Sequence, residues 1–290
     1  MSDPVEIRRC ADRREAEQLA LVLAAMGIAS RQAPLPAGIA LLVATADANA
    51  ARRQLAAYER ENAPRPRTAP PAALGAGWPA ALAYVLILLF LAGAARRELW
   101  SIDWLAAGAV QAGLIRAGAW WRAVTALTLH LDPGHLVGNL VAGTVIGTLA
   151  AQLLGPGLAW LAILLAGSLG NLLAAALRAP DHAAIGASTA VFAALGIVAA
   201  FTRQRRWQER HLRLRRLAPL GAGVLLLAYL GFGGERTDVG AHVAGFAVGL
   251  AVGWVLARWY ERVPRGPRAQ WRYGGLAAGL LLLAWALAIG

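Results

Sequence analysis

Residues 134–177 read GHLVGNLVAGTVIGTLAAQLLGPGLAWLAILLAGSLGNLLAAAL. They hold two apolar stretches, 134–154 and 157–177, each near the length a helix needs to cross about 30 Å of hydrocarbon. Two such runs in tandem point to a bundle of membrane helices. Working outward, comparable stretches recur at 78–95, 185–202, 217–233, 239–258 and 273–289, so the sequence predicts seven spans. The composition agrees: 58% of the 290 residues are hydrophobic, only 15% are charged, and the mean hydropathy is +0.52. That is too apolar for a water-soluble globular chain of this length.

The net charge of +12 comes from Arg held in short clusters between the apolar runs. Such clusters set membrane topology and form no basic face interleaved with aromatics, which excludes nucleic acid as a partner. RQRRWQERHLRLRR (203–216) and ARWYERVPRGPRAQWR (257–272) hold most of the Arg of the apolar region and are expected on the cytoplasmic side. Counting back puts the N-terminus in the cytoplasm, and counting forward puts the C-terminus outside. Arg96, Arg97, Arg116, Arg122 and Arg178 then fall on the outer side, so the orientation rests on the two dense clusters. His211 belongs to the first of them. No cleavable signal peptide is expected, because the first insertable stretch begins only near Trp78. One cysteine, Cys10, allows neither an intrachain disulfide nor a Cys-based zinc site.

Three regions separate by composition. Residues 1–62 read as a small cytoplasmic α+β domain in the order β-α-β-β-α: EIRRCA, DRREAEQLALVLAAMG, SRQAP, IALLVAT and ANAARRQLAAYEREN, with Asp47 as a candidate cap of the second helix. This order loosely resembles small ferredoxin-like domains and carries no chemistry of its own. Residues 63–77 form a Pro- and Ala-rich linker, and residues 78–290 the membrane domain with its seven spans. WSIDWLAAGAVQAGLIRAGAWWRAVTALTLH (100–130) is apolar, yet it is broken by Gly, Asp103 and Arg116 and rich in Trp. It reads as a large, partly helical interfacial loop.

Polar side chains inside membrane spans are costly and are therefore candidates for function. Ser188 is expected about one turn inside span four, in IGASTAVFAALG, and His242 about one turn inside span six, in TDVGAHVAGFAVGL. His130, His135 and Asn139 cluster where the large loop enters span two, at the same extracytoplasmic depth. A hydroxyl becomes a nucleophile when a base within hydrogen-bond reach takes its proton, and Ser188 with His242 can supply that pair. The Ser188 N–H with His135 and Asn139, four apart on one helix face, can donate to an oxyanion. His130 is placed to line the cavity. Gly186 permits close backbone approach, Gly245 and Gly249 let spans four and six meet, and Phe192, one turn below Ser188, can stack on the imidazole. Asp238, one turn before His242, is a candidate to orient it, but the favoured reading is a solvated loop end; His182 reads as a loop residue. A metal site built from His130, His135 and His242 would lack a carboxylate at that depth, so no metal or other cofactor is expected.

The patterns H-x4-H-x3-N (His130, His135, Asn139), G-x-S (Gly186, Ser188) and A-H-x2-G-x3-G (His242, Gly245, Gly249), on spans two, four and six, resemble the rhomboid family. The loop ending in Trp120-Trp121-Arg122 is similar as well, and the resemblance covers residues 78–258. It implies an all-α polytopic fold with a six-helix core plus a seventh C-terminal span. It also implies a Ser-His dyad that cleaves transmembrane protein substrates from the extracytoplasmic side of the cell's inner membrane, with Arg122 supporting the loop. Rhomboids commonly have Gly directly after the serine, where this chain has Thr189, whose bulk is expected to crowd the contact with span six. Two other readings of the same residues are an inactive rhomboid-like binder of transmembrane helices and a transporter. The absence of an inverted repeat in the sequence argues against the transporter.

Overall fold

A computed structural model describes residues 4–36, 38–62, 77–205 and 238–290. The chain divides into two compact units, Met1–Pro70 and Pro71–Gly290. The expected fifth span at 217–233, most of the basic cluster at 203–216 with His211, and most of the linker lie outside the described residues.

The first unit runs β1 (Pro4–Cys10), α1 (Arg13–Ala25), β2 (Ser30–Leu35), β3 (Gly38–Ala44) and α2 (Ala48–Glu61). The Asp12 carboxylate caps α1 by accepting from the Glu15 N–H, while Glu15 accepts from the Ala11 N–H, a reciprocal arrangement that satisfies two donors at the helix start. Gly27, at φ 75°, lets the chain turn out of α1. Ala16, Leu19 and Leu23 of α1 and Ala48, Ala51 and Leu55 of α2 are buried. They form apolar stripes packed around Leu41 and Val43 of the central strand. The sheet order is β1-β3-β2 with both pairings antiparallel. Asp47 precedes α2 but makes no side-chain cap, because Thr45–Asp47 is already a turn of 3-10 helix feeding into it.

In the second unit α3 (Trp78–Arg96) leads into the large loop, and α7 (Pro133–Leu154) and α8 (Pro156–Leu177) form a hairpin. α9 (Ser188–Arg205), α10 (Val239–Arg258) and α11 (Pro267–Ile289) follow. α3, α7, α8, α10 and α11 are each long and apolar enough to span a membrane, and α9 carries a shorter apolar helix over Ser188–Gln204. Span four was expected from residue 185, but Gly186 sits at φ 135°, a conformation no helix contains. The helix therefore starts at Ser188.

The large loop holds only short helices, α4 (Trp104–Gly108), α5 (Ala112–Arg116) and α6 (Arg122–Thr125), and a two-residue strand β4 (Val110–Gln111). β4 pairs with β5 (Ala183–Ala184), in the connection from α8 to α9. Irregular backbone next to lipid must find internal partners, and polar side chains supply them. Arg122 donates to the carbonyls of Ala106 (3.0 Å) and Ala109 (2.9 Å), and Thr125 donates to the Gly108 carbonyl (2.7 Å). Asn171 of α8 donates to the Ala123 carbonyl (2.9 Å). The Trp285 indole of α11 donates to Thr128 (3.2 Å) and packs on Trp104.

Candidate active site

Small residues bring α9 and α10 together. A Cβ on Gly249 would lie 2.8 Å from the Ala193 Cα, and one on Gly253 would lie 2.7 Å from the Ile197 Cα. Side chains do not separate these helices, so their backbones run in contact along a seam. Where α9 and α10 both begin, at one end of this seam, Ser188 Oγ lies 2.8 Å from His242 Nε2. The Phe192 ring stacks on the imidazole at a centroid distance of 4.5 Å. His242 is buried, and its Nδ1 has no hydrogen-bond partner among the described residues. Among the described residues the arrangement is therefore a pair, and the Phe192 ring packs over the face of the imidazole.

Thr189 does not crowd this contact. Its methyl is seated between two glycines, 3.0 Å from where a Cβ on Gly170 of α8 would lie and 2.9 Å from where one on Gly245 would lie. The space that β-branching needs is supplied by the missing side chains of its neighbours, and Ser188 still reaches His242.

The oxyanion candidates gather around the start of α9. Heading a helix, the Ser188 N–H has no carbonyl four residues back to bond within the helix. A Cβ on Gly186 would sit 2.7 Å from His135 Nε2 and 3.4 Å from Ser188 Oγ, so the missing side chain of Gly186 opens the space these two groups face. Asn139 is buried and donates to the His135 carbonyl at 3.0 Å, while its own carbonyl accepts from the Tyr84 hydroxyl at 2.8 Å. One hydrogen of the Asn139 amide remains for another acceptor. The His130 ring meets His135 edge-on at 5.0 Å, and its Nε2 accepts from the Ala187 N–H at 3.4 Å. Burial, and then the neighbouring His135, push the His130 pKa down to about 4. His130 is thus neutral near pH 7 and able to accept.

Asp238 is no solvated loop end. It caps α10, its side chain is 15% exposed, and it pairs with Arg178 and His182. Burial raises its carboxyl pKa, but the Ala241 N–H, His182 and Arg178 outweigh burial and hold it below the ordinary value. The signal was present in the sequence: an Asp directly before an apolar helical run is a capping pattern.

The Rhomboid domain model matches residues 117–259, a span that contains His130, His135, Asn139, Gly186, Ser188, Phe192 and His242 but not Tyr84. Among curated proteins, the chain is similar to Rhomboid protease GluP of Bacillus subtilis, 30% identical over 150 residues, which is 50% of this chain and 28% of that protein. It is also similar to two Toxoplasma gondii proteins. Rhomboid-like protease 2 is 30% identical over 51% of this chain and 54% of its own length. Rhomboid-like protease 3 is 31% identical over 57% and 62%. The match thus spans less than two thirds of the length of each of these relatives.

Proposed function

Since residues 117–259 make this multi-pass membrane protein a member of the rhomboid family, we propose that it is an intramembrane serine protease acting on transmembrane segments of other proteins. The observation that carries this reading is the 2.8 Å approach of Ser188 Oγ to His242 Nε2. His242 Nε2 takes the hydroxyl proton as Oγ attacks the scissile carbonyl carbon. The same proton passes to the leaving amine, and water then hydrolyses the acyl-enzyme by the reverse route. The Ser188 N–H, His135 Nε2 and the free amide hydrogen of Asn139 stabilise the oxyanion, with His130 and Gly186 shaping the space. Phe192 holds the imidazole plane, Gly245 and Gly249 hold the seam, and Arg122 holds the loop. The Arg clusters orient the N-terminal domain to the cytoplasm, which opens the site to the extracytoplasmic face of the inner membrane.

The test is labelling of membranes with a fluorophosphonate, which reacts only with an activated serine. The wild-type protein takes up the probe, and both Ser188→Ala and His242→Ala lose it. Equal labelling of wild type and Ser188→Ala would overturn the reading.

A further inference from the structure

The Ser188–His242 hydrogen bond joins two segments far apart in sequence. A second tie joins the same two segments. Asp238 stands four residues before His242, and His182 stands six residues before Ser188. His182 Nε2 donates to Asp238 Oδ2 at 2.7 Å, and Arg178 donates to Asp238 Oδ1 at 3.0 Å. The same Oδ1 accepts the Ala241 N–H at 3.1 Å, and the Asp238 carbonyl accepts the His242 N–H at 3.1 Å. The Arg178 guanidinium lies close over Gly240, where a Cβ would stand 2.5 Å from its Nη2.

The segment that holds Asp238 is itself fixed. The Ala112 N–H donates to the His182 carbonyl at 3.0 Å, the Gly113 N–H to the Pro180 carbonyl at 2.8 Å, and the Gly186 N–H to the Ala126 carbonyl at 2.9 Å. β5 pairs with β4 in between. The first turn of a helix is where fraying concentrates, and in α10 that turn ends at His242. We infer that Asp238 is a positioning residue, which holds the first turn of α10 against the segment leading into Ser188 and so sets the distance between nucleophile and base. A residue remote from the chemistry acts on rate in this way, because a shift of about 1 Å costs roughly 100-fold.

The inference rests on the protease reading for its kinetic arm and on the fold alone for its structural arm. Both are measured on the full chain in detergent micelles. With a fluorophosphonate as probe, Asp238→Ala lowers the maximal inactivation rate about 100-fold at unchanged probe affinity. Asp238→Asn keeps the cap and loses the charge-assisted bonds, and so lowers the rate by about 10-fold. Hydrogen exchange in Asp238→Ala quickens in residues 178–186 and 239–246 together, and His182→Ala and Arg178→Ala quicken the same two stretches. Faster exchange confined to 239–246 overturns the inference by reducing Asp238 to a simple cap. An unchanged labelling rate in a variant that melts earlier also overturns it, since the role is then merely structural. Absence of label on the wild type overturns the protease reading, and the exchange data then decide the tie by themselves.

Discussion

Helices α9 and α10 touch backbone to backbone, whereas α11 turns most of its surface away from the protein. Only 11% of the α11 membrane window is buried, against 61% for α8. The residues differ accordingly. The seam uses Gly245, Gly249, Gly253, Ala193 and Thr189, while α11 points Trp271 (83% exposed) and Leu282 (71%) outward. In the first unit the buried side chains include large ones, Leu23 and Leu41. Lipid solvates leucine as well as protein does, so bulk apolar side chains contribute little to helix association in a bilayer and small ones decide which helices can close. α11 is instead pinned by polar contacts. Gln270 bonds the Leu154 carbonyl and the Leu158 N–H at the α7–α8 turn, and Trp285 bonds Thr128 in the loop.

Filling the seam breaks the contrast most severely. Gly249→Leu drives a side chain into the Ala193 backbone, an overpacking that costs about 3 kcal/mol or more. Thermal unfolding in detergent should fall sharply and fluorophosphonate labelling should disappear; a variant that labels normally would mean that the helices need not touch. Acid acts next on the dyad end of the seam. His130 titrates near 4 in the folded protein, against 6.5 for the free group. Between those values the unfolded chain therefore binds more protons, so stability is present above pH 6.5 and is lost as pH falls toward 4. Melting at stepped pH should show this slope, and His130→Asn should flatten it.

Thr189→Gly empties the notch between Gly170 and Gly245 and places another glycine in a helix. The expected loss is about 1 kcal/mol with labelling retained, and a gain in melting temperature would show that the methyl is strained. At the far end of the scale, Leu282→Ala on α11 should change stability by less than about 0.5 kcal/mol. A larger loss would place a packing partner on that face.

The helices were legible because a bilayer demands long apolar runs: α3, α7, α8 and α10 match their predicted spans to within one residue at each end. The start of α11 lies at Pro267, six residues before the expected 273, because Arg268 and Arg272 interrupt the apolar run although they are good helix formers. Ser188 and His242 were legible as polar residues at one depth. What periodicity does not carry is direction off the helix axis. Nothing in GASTAV says that a methyl on Thr189 meets two glycines from two other helices, and nothing in DHAAIG says that His182 turns toward Asp238. Those contacts depend on crossing angles and loop paths, which a single sequence leaves open.

The notch around Thr189 also constrains how these positions can change over generations. A Cβ on Gly170 would meet the Gly245 Cα at 2.8 Å, and one on Gly245 would meet the Thr189 backbone carbonyl carbon at 3.1 Å. Both glycines are thus demanded by the crossing itself, whichever residue stands at 189. An exchange between Gly and Thr at 189 needs no accompanying change at 170 or 245, and it can pass in either direction through the small residues Ser or Ala. Positions 170 and 245 are closed in both backgrounds, so descendants of this chain can drift at the residue beside the nucleophile while its two neighbours stay frozen.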